Sequence, residues 1–240
     1  MKSDRADSLL TTRGLCASRE QAKRLILAGE VRSGGAPVTK PSQKLALDAP
    51  LELLEHPKFV GRGGLKLEAA LDAFAIDPTG WVCLDVGAST GGFTDCLLQH
   101  GAARVHALDV GTNQLVWKLR NDPRVISRER FNARHLTLAD LGERVRLAVM
   151  DLSFISLIKV LPAVWSVLED GGTVVCLIKP QFELRREDIG KGGIVRDPHL
   201  HQQAVDAIRD FVSASGREWR GLIPSPITGT DGNQEFLAWL

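Results

Sequence analysis

The chain has no C-x-x-C pair, no cysteine–histidine cluster, no long apolar run and, across 240 residues, no tyrosine. Cys16, Cys83, Cys96 and Cys176 stand far apart, mostly in apolar company, which excludes a disulfide framework and reads as four reduced core thiols. His199 and His201 are the only closely spaced histidines and have no third ligand near them, so no metal site is expected. The longest apolar stretches, such as residues 173–178, fall far short of the roughly 20 residues that span a bilayer, and no basic start precedes an apolar run at the front. These absences predict a soluble, cytoplasmic protein without a membrane partner. A formal net charge of +1 excludes nothing by itself, but its distribution is uneven. Residues 1–60 hold 10 Lys and Arg against 7 Asp and Glu, whereas residues 61–240 hold 20 against 22. The excess is sharpest over residues 1–44, 9 against 4, a pattern that fits either a nucleic-acid contact or an ordinary solvated helix face. With 44% hydrophobic residues the chain can bury one substantial core and a small second domain.

What is present at the front is a pattern of two short helices and a hairpin. Residues 4–13 have helical spacing, with Leu9 and Leu10 inward, Arg5 and Arg13 outward, and Gly14 as a stop. Ser18 is the predicted N-cap of a second helix, with Gln21 as its capping-box partner, Ala22, Leu25 and Ile26 as the apolar face and Gly29 as the end. Arg19 and Lys23, four apart, share one face of it. Residues 31–38 read as a hairpin turned by Gly34 and Gly35, and Lys40 and Lys44 continue the basic surface. Ser18-Arg19, Ala22, Leu25-Ile26, Gly29 and Val31 stand where the S4 RNA-binding domain has them, and the chain resembles that module to about residue 54. The resemblance implies RNA contact through Arg5, Arg19, Lys23, Arg24 and Lys40, which on phosphates supplies affinity but little sequence information. On charge alone, a structural helical hairpin is the plain alternative. Residues 1–56 are expected to form this domain, residues 57–64 a linker, and residues 65–240 a second domain.

From Leu65 the chain alternates. Residues 65–74 read as a helix, and residues 81–86, 104–110, 145–151 and 173–179 as buried strands with helices between them, which predicts a mostly parallel sheet covered on both faces. Residues 218–223 and 235–240 flank a Pro/Gly-rich turn, as two antiparallel strands closing such a sheet would. Asp85-Val86-Gly87-Ala88-Ser89-Thr90-Gly91-Gly92-Phe93 puts a glycine-rich turn between a strand and a helix, a pattern shared by dinucleotide and S-adenosylmethionine sites. A carboxylate at the mouth of the turn, Asp85, repels a pyrophosphate and suits the sulfonium and ammonium of S-adenosylmethionine; Ser89 replaces the middle glycine of G-x-G-x-x-G. Asp109, about 20 residues past the turn, is placed for ribose hydroxyls. Asn132 is a candidate for an adenine edge, though an exposed loop asparagine reads equally well. For Gly87, Gly91 and Gly92 the alternative is a purely structural turn.

Lys66, Asp151, Lys179 and Glu235 are two cations and two carboxylates, each beside a strand end or glycine turn. Asp151 and Lys179 end adjacent predicted strands at the carboxyl edge, where open α/β sheets bind ligands, and Lys66 and Glu235 can converge there. In-line methyl transfer to a hydroxyl needs an aligned acceptor and help with its proton, work suited to a lysine oriented by carboxylates. In order and element the four match the Lys-Asp-Lys-Glu tetrad of FtsJ-type 2′-O-ribose methyltransferases. Gly61-Arg62-Gly63-Gly64-Leu65-Lys66-Leu67, the glycine-rich turn, Lys179-Pro180-Gln181-Phe182-Glu183 and Gly190-Lys191-Gly192-Gly193-Ile194-Val195-Arg196-Asp197 resemble the TlyA family more closely still. So do Ser225-Pro226-Ile227 and Gly232-Asn233-Gln234-Glu235-Phe236. The resemblance covers nearly the whole chain. It implies a Rossmann-like class I methyltransferase fold with a seven-stranded sheet, S-adenosylmethionine as cofactor, and methylation of a cytidine 2′-hydroxyl in ribosomal RNA or a ribosomal subunit.

Members of that family restricted to the large subunit have shorter termini, and the chain leans to that type. Arg62, at the expected domain junction, is a candidate for coupling RNA contact to cofactor binding, with an ordinary linker arginine as the simpler view. Base N-methylation uses a D/N-P-P-Y/F turn where this chain has Asp151-Leu152-Ser153-Phe154, and cysteine-based chemistry lacks a suitably placed thiol, since Cys176 lies inside a predicted strand. The loop 183–197, with Arg185, Arg186, Lys191 and Arg196 among glycines, either closes over the target nucleotide or is a plain surface loop. Two rivals remain: an S4-type RNA-binding protein without chemistry, and a membrane-active protein, because the family carries the historical name haemolysin.

Overall fold

Short strands compete with helices at the front of the chain, and the strands win earlier than local spacing predicts. In the computed structural model, which describes residues 2–54, 57–229 and 231–240, the order is β1 (Ser3–Arg5), α1 (Ala6–Thr12), α2 (Arg19–Leu27), β2 (Val31–Ser33), β3 (Ala36–Pro37), β4 (Lys44–Ala46) and β5 (Leu51–Leu53). These lie in the first of two compact units, residues 1–57. The expected helix over residues 4–13 is corrected at its start: Asp4 and Arg5 pair antiparallel with Leu45 and Lys44, so ladder hydrogen bonds override helical spacing there. Ser18 does cap α2, accepting from Gln21 N at 3.2 Å, while Gln21 Oε1 accepts from Ala17 N rather than from Ser18 N. Leu10, Ala22, Ile26, Val31 and Val38 close a small core. The expected boundary at residue 56 lies outside the described residues.

The second unit, residues 58–240, contains α3 (Gly63–Ala73), β6 (Val82–Val86), α4 (Gly92–Gln99), β7 (Arg104–Leu108), α5 (Trp117–Arg120), β8 (Val125–Arg128), α6 (Leu138–Leu141), β9 (Val145–Met150), α7 (Leu161–Ser166), β10 (Leu168–Ile178), α8 (Pro180–Glu183), α9 (Pro198–Ala214), β11 (Gly221–Pro224) and β12 (Phe236–Trp239). The sheet order is β11-β12-β10-β9-β6-β7-β8. β12 runs against the other six strands, giving the mostly parallel, seven-stranded sheet of a Rossmann-like methyltransferase fold. β8, absent from the sequence expectation, is a largely exposed edge strand with no apolar run to reveal it.

Alternation along the central strands feeds two cores. Ala148 and Met150 of β9 face one with Val174 and Cys176 of β10, while Leu147 and Val149 face the other with Val175 and Leu177. All four cysteines are buried and unpaired, and burial pushes the Cys83 thiol up to about 12. Residues 58–62, expected as part of a linker, pack onto this second unit. Val60 N donates to Asp95 Oδ2 at 2.9 Å, and the buried Phe59 ring occupies the space that a side chain at Gly64 would take.

The same alternation puts Asp85 on the Cys83 face of β6, fully buried beneath α4, where Thr94 Oγ1 donates to Oδ2 at 2.6 Å. Burial pushes this carboxyl up to about 7 against the opposing Thr94 bond. The folded protein therefore keeps this proton until about pH 7, whereas the unfolded chain gives it up near the ordinary value of 3.8. The group's contribution to stability is full below that ordinary value and lost as pH rises towards 7. Asp85→Asn removes this loss, so the melting temperature of the variant minus that of the wild type is expected to grow between about pH 4 and pH 7; a constant difference contradicts the assignment. Leu147→Ala, at a position with no solvent exposure in the central strand β9, is expected to destabilise the second unit by about 2–5 kcal/mol in urea unfolding.

Candidate active site

The carboxyl ends of β9 and β10 bring Asp151 and Lys179 together. Lys179 Nζ lies 2.5 Å from Asp151 Oδ1 and donates to Ser153 Oγ at 3.1 Å. The ion pair lies off a hydrogen-bond axis, and Asp151 Oδ1 is buried without a hydrogen-bond partner among the described residues. Lys66, early in α3, pairs with Glu235, the residue before β12, and both side chains are buried. Gly229 gives Glu235 its room, since a Cβ there would stand 2.6 Å from Oε1. All four residues line one cavity of about 790 Å³, so folding gathers the whole predicted tetrad. Arg62 lines the same cavity, and its guanidinium donates to the Thr228 carbonyl at 2.6 Å, which makes it part of the site wall rather than of a free linker.

A second cavity, of about 440 Å³, runs along the ends of β6 and β7 and is lined by Gly87, Ser89, Asp109, Asn132 and Asp151, with Leu108, Val110 and Phe131 as apolar wall. The two cavities share Gly87, Ser89, Asp151, Ser153 and Phe154. Gly87 has φ +88°, and a Cβ there would collide with the Asp151 carbonyl oxygen, so the turn after β6 passes the end of β9 only as glycine. Asp109 accepts from Ser89 N at 2.7 Å and from Gly111 N at 2.6 Å, tying the turn to the end of β7. Asn132 Oδ1 accepts from the Arg134 backbone N and Nε, each at 3.2 Å, so it caps a short turn while lining the groove. Gly92 and Phe93 line a smaller recess beside Gly63 and Asp151.

Two expected cofactor residues lie elsewhere. Gly91, at φ +101°, faces the Leu115 and Leu119 side chains, a structural glycine that lines none of these cavities. Asp85 is not at the mouth of the turn, because strand alternation points it into the core; the carboxylates that face the cavities are those of Asp109, Asp151, Asp231 and Glu235.

Of the expected RNA contacts in the first unit, Arg5 and Arg19 converge on Asp7, Lys23 lies 3.6 Å from Glu20, and Arg24 and Lys40 are exposed. In the loop 183–197, Arg185, Arg186 and Arg196 are exposed, and the side chain of Lys191 is not among those described. Sequence reasoning missed Phe154, which is 91% exposed, holds φ +64° and stands where the two cavities meet, its ring centroid 5.1 Å from that of Phe182. An exposed aromatic in a strained backbone has no periodic signal; its place in Asp151-Leu152-Ser153-Phe154 was the one available cue. Glu183 was quoted only within a motif. Its Oε1 accepts from Leu157 N at 3.0 Å, and burial raises its carboxyl above the usual range.

Residues 59–240 match the FtsJ-like methyltransferase family, and residues 4–49 match the S4 domain. The 16S/23S rRNA (cytidine-2′-O)-methyltransferase TlyA of Mycobacterium tuberculosis is 48% identical over 238 residues, spanning 98% of this chain and 89% of the relative. The 23S rRNA (cytidine-2′-O)-methyltransferase TlyA of Campylobacter jejuni is 34% identical over 184 residues, spanning 75% of this chain and 69% of the relative. A solved structure named for a hemolysin of Streptococcus thermophilus is 47% identical with a TM-score of 0.75, covering 100% of this chain and 88% of that one. With an S4 domain, an FtsJ-like methyltransferase domain and this identity along nearly its full length, the chain belongs to the TlyA family.

Proposed function

We propose that this protein transfers the methyl group of S-adenosylmethionine to the 2′-hydroxyl of a cytidine in ribosomal RNA. The observation that carries this reading is the gathering of Lys66, Asp151, Lys179 and Glu235 in one cavity that opens into the groove at the glycine-rich turn. The groove suits S-adenosylmethionine. Asp109 is held by two backbone amides in reach of ribose hydroxyls, Leu108, Val110 and Phe131 offer apolar surface to an adenine, and Asn132 offers an amide to its edge. Asp151 stands at the junction of the two cavities, where its carboxylate, shared with Lys179, faces a bound sulfonium. The preference for a cation over a pyrophosphate thus rests on Asp109 and Asp151 instead of Asp85.

When bound, S-adenosylmethionine supplies an electrophilic methyl carbon. The rest is the work of this chain. Lys179, fixed by Asp151 and Ser153, orients the acceptor hydroxyl and offsets the negative charge that develops on its oxygen. The Asp151 carboxylate, beside Lys179, offers a place for the proton that leaves the hydroxyl. Lys66 and Glu235 neutralise each other while buried, which holds the cavity wall in one arrangement. Phe154 presents an aromatic face on which a nucleobase can stack. Residues 1–56 serve as the RNA-binding module and residues 65–240 as the methyltransferase in this reading.

The Mycobacterium tuberculosis relative is named for both subunits' RNA and the Campylobacter jejuni relative for 23S alone; the higher identity to the former leaves the large-subunit preference unsupported. The hemolysin name belongs to the relative that bears it, and among the described residues no helix is long and apolar enough to cross a membrane.

The reading is tested by incubating the protein with labelled S-adenosylmethionine and each ribosomal subunit from a strain that lacks it, then digesting the RNA with alkali. Label is expected in an alkali-resistant dinucleotide, because a methylated 2′-oxygen cannot attack its phosphodiester. Lys179→Ala is expected to lower the rate by roughly 100-fold or more. Label in neither subunit, with RNA binding intact, indicates a binding protein without chemistry. Phe154→Ala is expected to raise KM for the RNA roughly tenfold, the size of a lost base stack of about 1–3 kcal/mol, and to leave S-adenosylmethionine affinity unchanged in calorimetry. Weakened cofactor binding instead would reassign Phe154 to the groove.

A further inference from the structure

Asp7, in the first turn of α1, is a carboxylate with no solvent exposure. Arg5 grips it with two parallel bonds, Nε to Oδ1 and Nη2 to Oδ2, each at 2.9 Å. Arg19 Nη2 reaches the same Oδ2 at 3.1 Å. The two guanidinium groups come from different elements, the end of β1 and the first residue of α2, yet both donate to the same oxygen. They keep 38% and 55% of their side-chain exposure. Lys44, also exposed, stands opposite Arg5 in the β1–β4 ladder. Asp4, the other acid nearby, is occupied locally by Arg5 N at 2.7 Å and Ser8 Oγ at 2.9 Å.

Two adjacent guanidiniums repel, and so does a lysine opposite one of them. A buried carboxylate is itself costly unless charges and hydrogen bonds surround it. The contacts with Arg5 and then Arg19 outweigh that cost and hold the Asp7 carboxyl down at about 2, so it remains ionised at any working pH. Each arginine has five N–H donors, of which Arg5 spends two and Arg19 one on Asp7. The unused donors belong to two guanidiniums anchored on one carboxylate and still partly open to solvent, and planar forks of this kind meet phosphate oxygens in pairs.

We infer that Asp7 builds a phosphate clamp, holding Arg5 and Arg19 together so that both guanidiniums grip one backbone phosphate of the RNA. Asp7 is a positioning residue that does not touch the RNA. The inference rests on the RNA methyltransferase reading and adds to it the device that prepares the RNA-binding surface.

Charge alone and clamping predict opposite signs. Deleting a negative charge from a basic surface tightens phosphate binding if only charge counts, whereas deleting the carboxylate that aligns the forks weakens it. The test measures the affinity of the full-length protein for each purified ribosomal subunit by filter binding between about 50 and 200 mM salt. Asp7→Asn is expected to bind roughly tenfold more weakly, with a salt slope shallower by about one. In an Arg5→Ala/Arg19→Ala background, Asp7→Asn is expected to add nothing, whereas a further loss there marks a general folding defect and overturns the clamp. Equal or tighter binding by Asp7→Asn also overturns it. Should Asp7→Asn lose helical circular dichroism, Arg5→Lys/Arg19→Lys keeps both charges and removes both forks: weaker binding with an unchanged spectrum supports the clamp, and wild-type binding overturns it. If these variants bind like the wild type while Lys179→Ala still abolishes the alkali-resistant label, the clamp fails and the methyltransferase reading stands. If the wild-type protein binds neither subunit, both fall.

Discussion

Parallel pairing of β6 with β9 is the constraint on which the candidate site depends. From β6 the chain moves to β7 and β8 on one side and returns to β9 on the other, so the connections leaving β6 and β9 diverge and open a crevice between them. The pairing continues past the strands: Asp151 N donates to the Val86 carbonyl at 3.0 Å, and Gly87 passes so close to the Asp151 carbonyl that no side chain fits. A single register therefore fixes the glycine-rich turn and Asp151 against each other. Asp151 then holds Lys179 from the next strand, so the two cavities that meet at Asp151 are set by the same backbone contact.

Charge is handled differently in the two units. In the second, the buried cations are matched one to one with carboxylates, Lys179 with Asp151 and Lys66 with Glu235, which keeps a cavity wall polar without leaving an unpaired buried charge. In the first, one buried carboxylate serves two half-exposed arginines and leaves them with donors to spare. The first arrangement suits chemistry on a bound group. The second suits contact with a polyanion whose sequence it does not read.

The central sheet was legible because β6, β7, β9 and β10 each carry a short apolar stretch, such as Leu147-Ala148-Val149-Met150 and Val174-Val175-Cys176-Leu177-Ile178, that leads to a polar residue at the strand end. Asp151 and Lys179 were legible because they follow two of those strands, whereas Lys66 and Glu235 were legible only through the motifs that surround them. Legibility failed where a residue's environment depends on partners distant in sequence. β1 carries helical spacing and becomes a strand only because β4 supplies a ladder. Asp85 reads as an exposed binding acid beside the glycine-rich turn, yet it lies within β6 and strand alternation sends it inward beneath Thr94. Arg62 sits in a glycine-rich stretch that reads as a linker, and its anchor, the Thr228 carbonyl, lies 166 residues away. Phe154 shows the opposite failure, an aromatic that belongs in a core by composition and stands in solvent by position.

The Lys66–Glu235 pair joins a residue near the start of the second unit to one that precedes its last strand. Vectorial synthesis therefore delivers the lysine long before its counter-charge. Until β12 is laid between β10 and β11, Lys66 has no carboxylate to accompany it into the interior, and burying the ammonium alone is unfavourable. A chain cut before Glu235 therefore keeps the lysine and loses the counter-ion that accompanies it in the interior.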